Sequence, residues 1–245
     1  MRRALPLLFV LLAACAELPV PMPPTGPAPG GQDLTPAPSD VQLRAQKAAR
    51  QFVQVVETVE PVAEQVCRNR STRLNCDFQI VVDDRPDQPP NAFQTVDRAG
   101  RPIVAFNLAL IASAENADEL AFVMGHEAAH HVMDHIAKTQ ESATVGAVVL
   151  AGITALSGAD ADTIKAAEEL GATVGARTYS KDFELEADRL GTIIAAKSGY
   201  DPVRGALFFN RIPDPGNRFL GSHPPNAARM AIVRKTYAEF VAGQN

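Results

Sequence analysis

The chain has 245 residues, a net charge of −5 and 46% hydrophobic residues, with no tryptophan and three cysteines. The roughly 200 residues beyond an atypical start suffice for one well-buried domain and are short for two. The acidic balance, without a basic stripe interleaved with aromatics, argues against nucleic acid as a partner, and the few aromatics argue against a carbohydrate or base-stacking platform.

Residues 1–14 read as a targeting segment. Arg2 and Arg3 form a positive start, and the apolar run Leu5 to Ala14 is too short to cross a bilayer, which takes roughly 20 residues. Removing Arg2 and Arg3 takes the net charge from −5 to −7. The run ends Leu12-Ala13-Ala14-Cys15, which resembles a bacterial lipobox. That resemblance implies cleavage before Cys15, a lipid on its sulfur and, with Ala16 following, sorting to the periplasmic face of the outer membrane.

Residues 15–39 read as the lipidated Cys and a tether. Eight prolines between 19 and 38 preclude regular helix or sheet and favour an extended chain. It reaches on the order of 70 Å, enough to hold a domain clear of the headgroups.

The domain is expected over residues 40–245. Asp40 is the expected N-cap of a helix whose apolar positions (Val41, Ala45, Ala48, Phe52, Val55, Val56 and Val59) recur at helical spacing, interrupted or restarted at Pro61. Cys67 and Cys76 are nine apart. With Cys15 otherwise engaged they form an even pair, and a disulfide pinning the helix end to the next strand is expected. Strands are expected at Phe78–Val82, Phe93–Val96 and Ile103–Phe106, as a small antiparallel sheet. Its open edge either holds an extended peptide or is purely structural. A short helix follows at Leu108–Ser113.

Asn116, with Glu119 three residues on, marks the start of the next helix in a capping-box-like pattern. Mid-helix lies His126-Glu127-Ala128-Ala129-His130, an instance of HExxH, flanked by apolar Leu120, Val123 and Met124. The two histidines are one turn apart on one face, so both can meet one metal ion. Glu127 sits about 100° around the helix from His126, where it can take a proton from an attacking water. The set suits metal-assisted hydrolysis. Met133 and Ile136 stand where a metzincin has Gly and a third His, which excludes that class. His131 faces away from His126 and is expected at the surface or in a supporting role, and His135 is expected to be structural.

Val145 to Leu156 is nearly continuous apolar sequence, too short to span a membrane, and is expected as a buried wall helix, or as one that touches a membrane surface or lids a cleft. Residues 161–176 form another helix. The third metal ligand is sought in Glu184-Leu185-Glu186-Ala187-Asp188. Glu184 and Asp188 share a helical face, so Glu184 can bind metal while Asp188 hydrogen-bonds the other nitrogen of a ligand histidine. Glu186 points elsewhere. Gly191 shares the Glu184 face and allows close helix approach.

HEAAH, YSKDFELEADRLG at 179–191, SGYDP at 198–202, NAF at 91–93 and SHPPNAAR at 222–229 together resemble the HtpX/CAAX-prenyl-protease-type gluzincin peptidases, peptidase family M forty-eight. The resemblance covers about residues 40–240. It is nearest in kind to exported lipoprotein members of LoiP/BepA type, here without a helical-repeat domain. It implies an α+β, mainly helical zincin-like domain that binds one Zn2+ through His126, His130 and Glu184. Glu127 is then general base and acid, with Asp188 supporting a ligand. The resemblance adds His223, which either stabilises the oxyanion or latches the fourth metal position, and Arg229 as a cleft or structural residue. Lys181 departs from the Arg of many relatives.

The expected function is a zinc endopeptidase anchored to the bacterial envelope through Cys15, degrading unfolded or misassembled envelope proteins. The competing expectation is a non-catalytic, zinc-stabilised assembly or quality-control factor that binds such clients.

Overall fold

The first helix, α1 (Asp40–Arg70), starts on a reciprocal cap: the Ser39 hydroxyl accepts from the Gln42 N–H, and the Gln42 side chain accepts from the Ser39 N–H. Ser39 is therefore the N-cap, and Asp40 is the first helical residue. The structure, a computed structural model, describes residues 39–213, 216 and 223–243. The targeting segment, Cys15 and the tether up to residue 38 lie outside the described residues.

Pro61 does not interrupt α1, which runs unbroken through it. Pro61 and Glu57, whose carbonyl loses its N–H partner, are both exposed, so water replaces the missing bond. On the opposite face Phe52, Val55, Val59, Ala63 and Val66 are buried, and their packing outweighs the local cost. Cys67 near the end of α1 is joined to Cys76, with Cα atoms 5.7 Å apart, tethering the helix to the segment that enters the sheet.

The sheet comprises β1 (Gln79–Asp83), β2 (Ala92–Val96) and β3 (Pro102–Asn107) in the order β1-β3-β2. The expected all-antiparallel arrangement holds only for β2 and β3; β1 runs parallel to β3, so the sheet is mixed. The reason is that the 84–91 connection crosses from one edge of the sheet to the other at the Asn107 end of β3, so that the β2–β3 hairpin returns β3 into the middle. Central β3 buries Val104 and Phe106, and the Phe106 ring lies 5.1 Å from that of Phe52.

Short α2 (Leu108–Ser113) leads to α3 (Ala117–Val132), which is buried nearly all round because it is the centre of the molecule. Leu120 and Met124 of α3 pack in one core with Val55, Val59, Phe78 and Ile194. Each such side chain contributes about 1.5–3 kcal/mol by leaving water.

Two helices then form a hairpin, α4 (His135–Leu156) and α5 (Ala161–Thr178). Residues 145–156 are not a buried wall. Val145, Val148, Val149, Ile153 and Leu156 are all exposed, and the only buried residue of α4 is His135 at its base. The helices pack on each other instead. A Cβ on Gly146 would sit 2.2 Å from the Gly171 carbonyl oxygen, and one on Gly175 2.0 Å from that of Ser142. This small-residue seam satisfies the hairpin internally and leaves its apolar side chains outward. No helix of the described residues is long and apolar enough to cross a membrane.

The chain returns through α6 (Ser180–Lys197), short α7 (Pro202–Gly205), a 3-10 segment (Ala206–Arg211) and α8 (Asn226–Ala242). These brace the start of α3. The buried Asp118 carboxylate accepts from the Asp201 N–H at 2.9 Å and pairs with Arg204, while buried Glu119 pairs with Arg211. The Asn226 amide donates to the Phe209 carbonyl at 2.8 Å, fixing the start of α8 against a second small core of Phe122, Phe209, Met230 and Val233.

Candidate active site

The start of α3 is set by Asn116, whose side chain accepts from the Glu119 N–H at 3.2 Å. Glu119 bonds back to the Glu115 N–H, one residue earlier than a standard capping box. From there α3 runs under the cleft and meets α6 at two glycines. A Cβ on Gly191 would lie 2.7 Å from the His126 nitrogen, and one on Gly125 2.8 Å from the Gly191 carbonyl oxygen. Only glycine at both positions lets the backbones come this close. The consequence is chemical, because one helix carries His126, Glu127 and His130 and the other carries Glu184 and Asp188.

The structure brings His126, His130 and Glu184 together as a group able to hold a metal ion. The two Nε2 atoms are 3.1 Å apart; Glu184 Oε2 is 3.4 Å from His126 Nε2 and Oε1 is 3.5 Å from His130 Nε2. An ion bound at about 2.0–2.1 Å in tetrahedral geometry places its donors about 3.3–3.4 Å apart. The donor set fits such an ion.

Both histidine donors are held from behind. His126 Nδ1 lies 2.9 Å from Asp188 Oδ1, so the fully buried Asp188 orients its ring. Asp188 in turn accepts two bonds from Arg229, both at 2.7 Å, and the Arg229 guanidinium stacks 3.7 Å above the Phe209 ring. His130 Nδ1 lies 3.0 Å from His135 Nδ1, and His135 Nε2 lies 3.1 Å from Glu186 Oε2.

Electrostatics follow this layout. Burial disfavours a charge on His126, but the hydrogen bonds with Asp188 and Glu184 win and raise its pKa. Burial and the neighbouring His126 charge lower that of His130. Burial opposes ionisation of Glu184 too, yet His126, His130 and Arg229 hold it ionised. Arg229 pairs with Asp188 at 2.7 Å and also lies 3.6 Å from Glu184, so it faces both carboxylates. Glu127 makes no part of this cage. Burial pushes its carboxyl up to about 6, against a main-chain hydrogen bond from Gln94.

The cleft over these groups has a volume of about 630 Å³. One wall is β2, with Ala92, Phe93 and Gln94, which among the described residues is an edge strand. Phe208, Phe209, Ile212 and His223 also line the cleft. His223 is half-exposed, and its Nε2 lies 4.0 Å from Glu184 Oε2, farther than the three donors lie from one another.

A sequence profile of peptidase family M48 matches residues 49–237, which include every residue of this site. The chain belongs to peptidase family M48. The chain is also similar to the putative beta-barrel assembly-enhancing protease of Vibrio cholerae, 33% identical over 129 residues, which is 50% of this chain and 26% of that protein. It is 28% identical over 153 residues to the beta-barrel assembly-enhancing protease of Escherichia coli K12, and 30% identical over 153 residues to that of Yersinia pestis, each match covering 54% of this chain and 30% of the relative. The chain thus spans between a quarter and a third of the length of these curated relatives.

Within this M48 domain His131 takes the supporting one of its two expected places. His131 is not at the surface: it is buried, its Nε2 lies 2.7 Å from the Asn75 carbonyl oxygen, and its ring packs edge-on against Phe78. It ties α3 to the disulfide loop. His135 packs as a structural residue directly against His130, and Glu186 bonds His135 from behind. Five residues along a straight helix would turn His135 about 140° from His130. Asp134 breaks the helix instead, with a left-handed φ of 57°, and swings His135 back to the rear of His130. No periodicity argument finds that turn, although Asp is among the residues that tolerate it.

Proposed function

We propose that this chain is a zinc-dependent endopeptidase of the bacterial envelope, with one Zn2+ held by His126, His130 and Glu184. The observation that carries this reading is the donor spacing of 3.1–3.5 Å, with the carboxylate of Glu127 in the same cleft and outside the donor group. Zinc at such a site supplies a Lewis acid that polarises the scissile carbonyl and acidifies water.

The chain's own residues do the rest. Glu127 takes the proton of the attacking water and delivers it to the departing amine, so the amide C–N bond breaks and a C–O bond forms with no net proton change on the enzyme. Its raised pKa suits a group that must both accept and give back a proton near neutral pH. Asp188 and Arg229 hold His126 in one orientation. The edge of β2 offers main-chain groups to an extended peptide lying along the cleft. His223, outside the three donors and facing the cleft, is read as the group that stabilises the oxyanion.

An extended, edge-binding cleft suits unfolded segments, which supports unfolded or misassembled envelope proteins as substrates. The names of the similar proteins from V. cholerae and E. coli point the same way. Lipidation at Cys15 would hold the enzyme at the outer membrane. The test is metal analysis with a cleavage assay on an unfolded protein. One zinc per chain is expected, with cleavage lost on chelation and restored by zinc. Cleavage that survives complete removal of zinc overturns the proposal.

A further inference from the structure

The two histidine donors are supported by different devices. His126 leans directly on a carboxylate, Asp188. His130 has no carboxylate at its Nδ1 and meets another imidazole there, that of His135. We propose that Glu186 and His135 form a relay that positions His130 for metal binding, with His135 a positioning residue. This rests on the metal-site reading above.

The hydrogen-bond logic allows one arrangement when His130 is a ligand. His130 Nε2 faces His126 and Glu184, so its lone pair must point into the donor group and its proton must sit on Nδ1. That N–H then donates to His135 Nδ1 across 3.0 Å. His135 Nδ1, now an acceptor, leaves its own proton on Nε2, which donates to Glu186 Oε2 at 3.1 Å. A carboxylate only accepts. Glu186 at the end of the chain therefore orients both protons, and the order cannot run the other way.

The relay is also held mechanically. His135 is 3% exposed and stacks on Phe183, with centroids 4.6 Å apart and planes 17° from parallel. Phe183 and Glu186 flank Glu184 on α6, so the helix that delivers the carboxylate donor also holds the support of the histidine donor. The left-handed Asp134 is what makes the pairing reachable.

Two substitutions separate hydrogen bonding from packing. His135→Asn places an amide oxygen near the position of the Nδ1 acceptor, and His135→Leu fills space without one. Zinc retention is measured by competition with a chelator and by the absorption of the Co2+-substituted protein. The relay predicts zinc affinity reduced about 10–100-fold in His135→Leu. It predicts a smaller loss, with a near-native Co2+ spectrum, in His135→Asn. A packing role predicts the reverse order and overturns the relay. Glu186 has a side chain 45% exposed, so truncating it removes little buried packing. Glu186→Ala is expected to lower zinc affinity several-fold, and unchanged affinity in it refutes the relay even if a His135 variant misfolds. Wild type and His130→Ala are measured alongside. If those two bind zinc equally, the metal-site reading itself fails, a result distinct from failure of the relay.

Discussion

Gly191 is the position where packing and chemistry are most tightly joined. A Cβ there would lie 2.7 Å from the His126 nitrogen and 2.9 Å from its Cα, both backbone atoms that cannot swing away. Ordinary contact begins at 3.4 Å, so in Gly191→Ala the two helices must part by about 0.7 Å. Overpacking of this kind costs about 1–3 kcal/mol. For a domain of this size each kcal/mol lowers Tm by roughly 2–4 °C, so a fall of roughly 2–12 °C is expected in metal-free protein. Because Glu184 rides on the displaced helix, its separation from His126 Nε2 grows from 3.4 Å, and zinc affinity falls by about tenfold or more, about 1.4 kcal/mol. Thermal unfolding and chelator competition read the two effects separately. Gly152→Ala is the control: nothing lies within 4 Å of its Cβ position on exposed α4, so it is neutral or slightly stabilising. Unchanged Tm and unchanged zinc affinity in Gly191→Ala would refute the reasoning.

Arg229→Ala strips the fully buried Asp188 of both its guanidinium bonds, and urea unfolding should show a loss of about 3–5 kcal/mol. Arg229→Lys keeps the charge without the fork and recovers only part of it; full recovery would mean that the bidentate geometry is unimportant. Replacing Cys67 and Cys76 by Ser frees a loop spanning nine positions and should cost about 2.5 kcal/mol by denaturant titration, against no change if the bond does not form in solution. Gly146→Leu, whose Cβ would strike the Gly171 carbonyl at 2.2 Å, should open the α4–α5 hairpin and expose it to limited proteolysis while the core around α3 unfolds at nearly the same temperature. A matching drop in the global Tm would show that the hairpin is integral to the core.

The parts of this fold that are legible in the sequence are those fixed by local periodicity. Asn116 starts α3, and Glu184 and Asp188 share one face of α6, because side-chain spacing alone determines these features. Features that depend on what lies across a gap are not legible. The parallel pairing of β1 depends on whether the 84–91 connection takes β2 to the far edge and leaves room for β3 between, and Pro61 survives in α1 because its face meets water. The run Val145 to Leu156 reads as core by hydrophobicity, yet it finds its partner in the glycine seam of α5 and leaves its valines outside. At the site, His135 is hidden from helical-wheel reasoning by the single left-handed residue Asp134.

The most direct test of the central claim compares wild type with Glu127→Gln, each loaded with zinc, on an unfolded protein substrate. Glu127 lies in the cleft and outside the donor group, so the variant should keep its one zinc and its Tm. Its cleavage rate should fall by about 10²–10⁴-fold, the contribution of a positioned general base. Cleavage at the wild-type rate, with zinc bound, would contradict the account and leave Glu127 without a catalytic role.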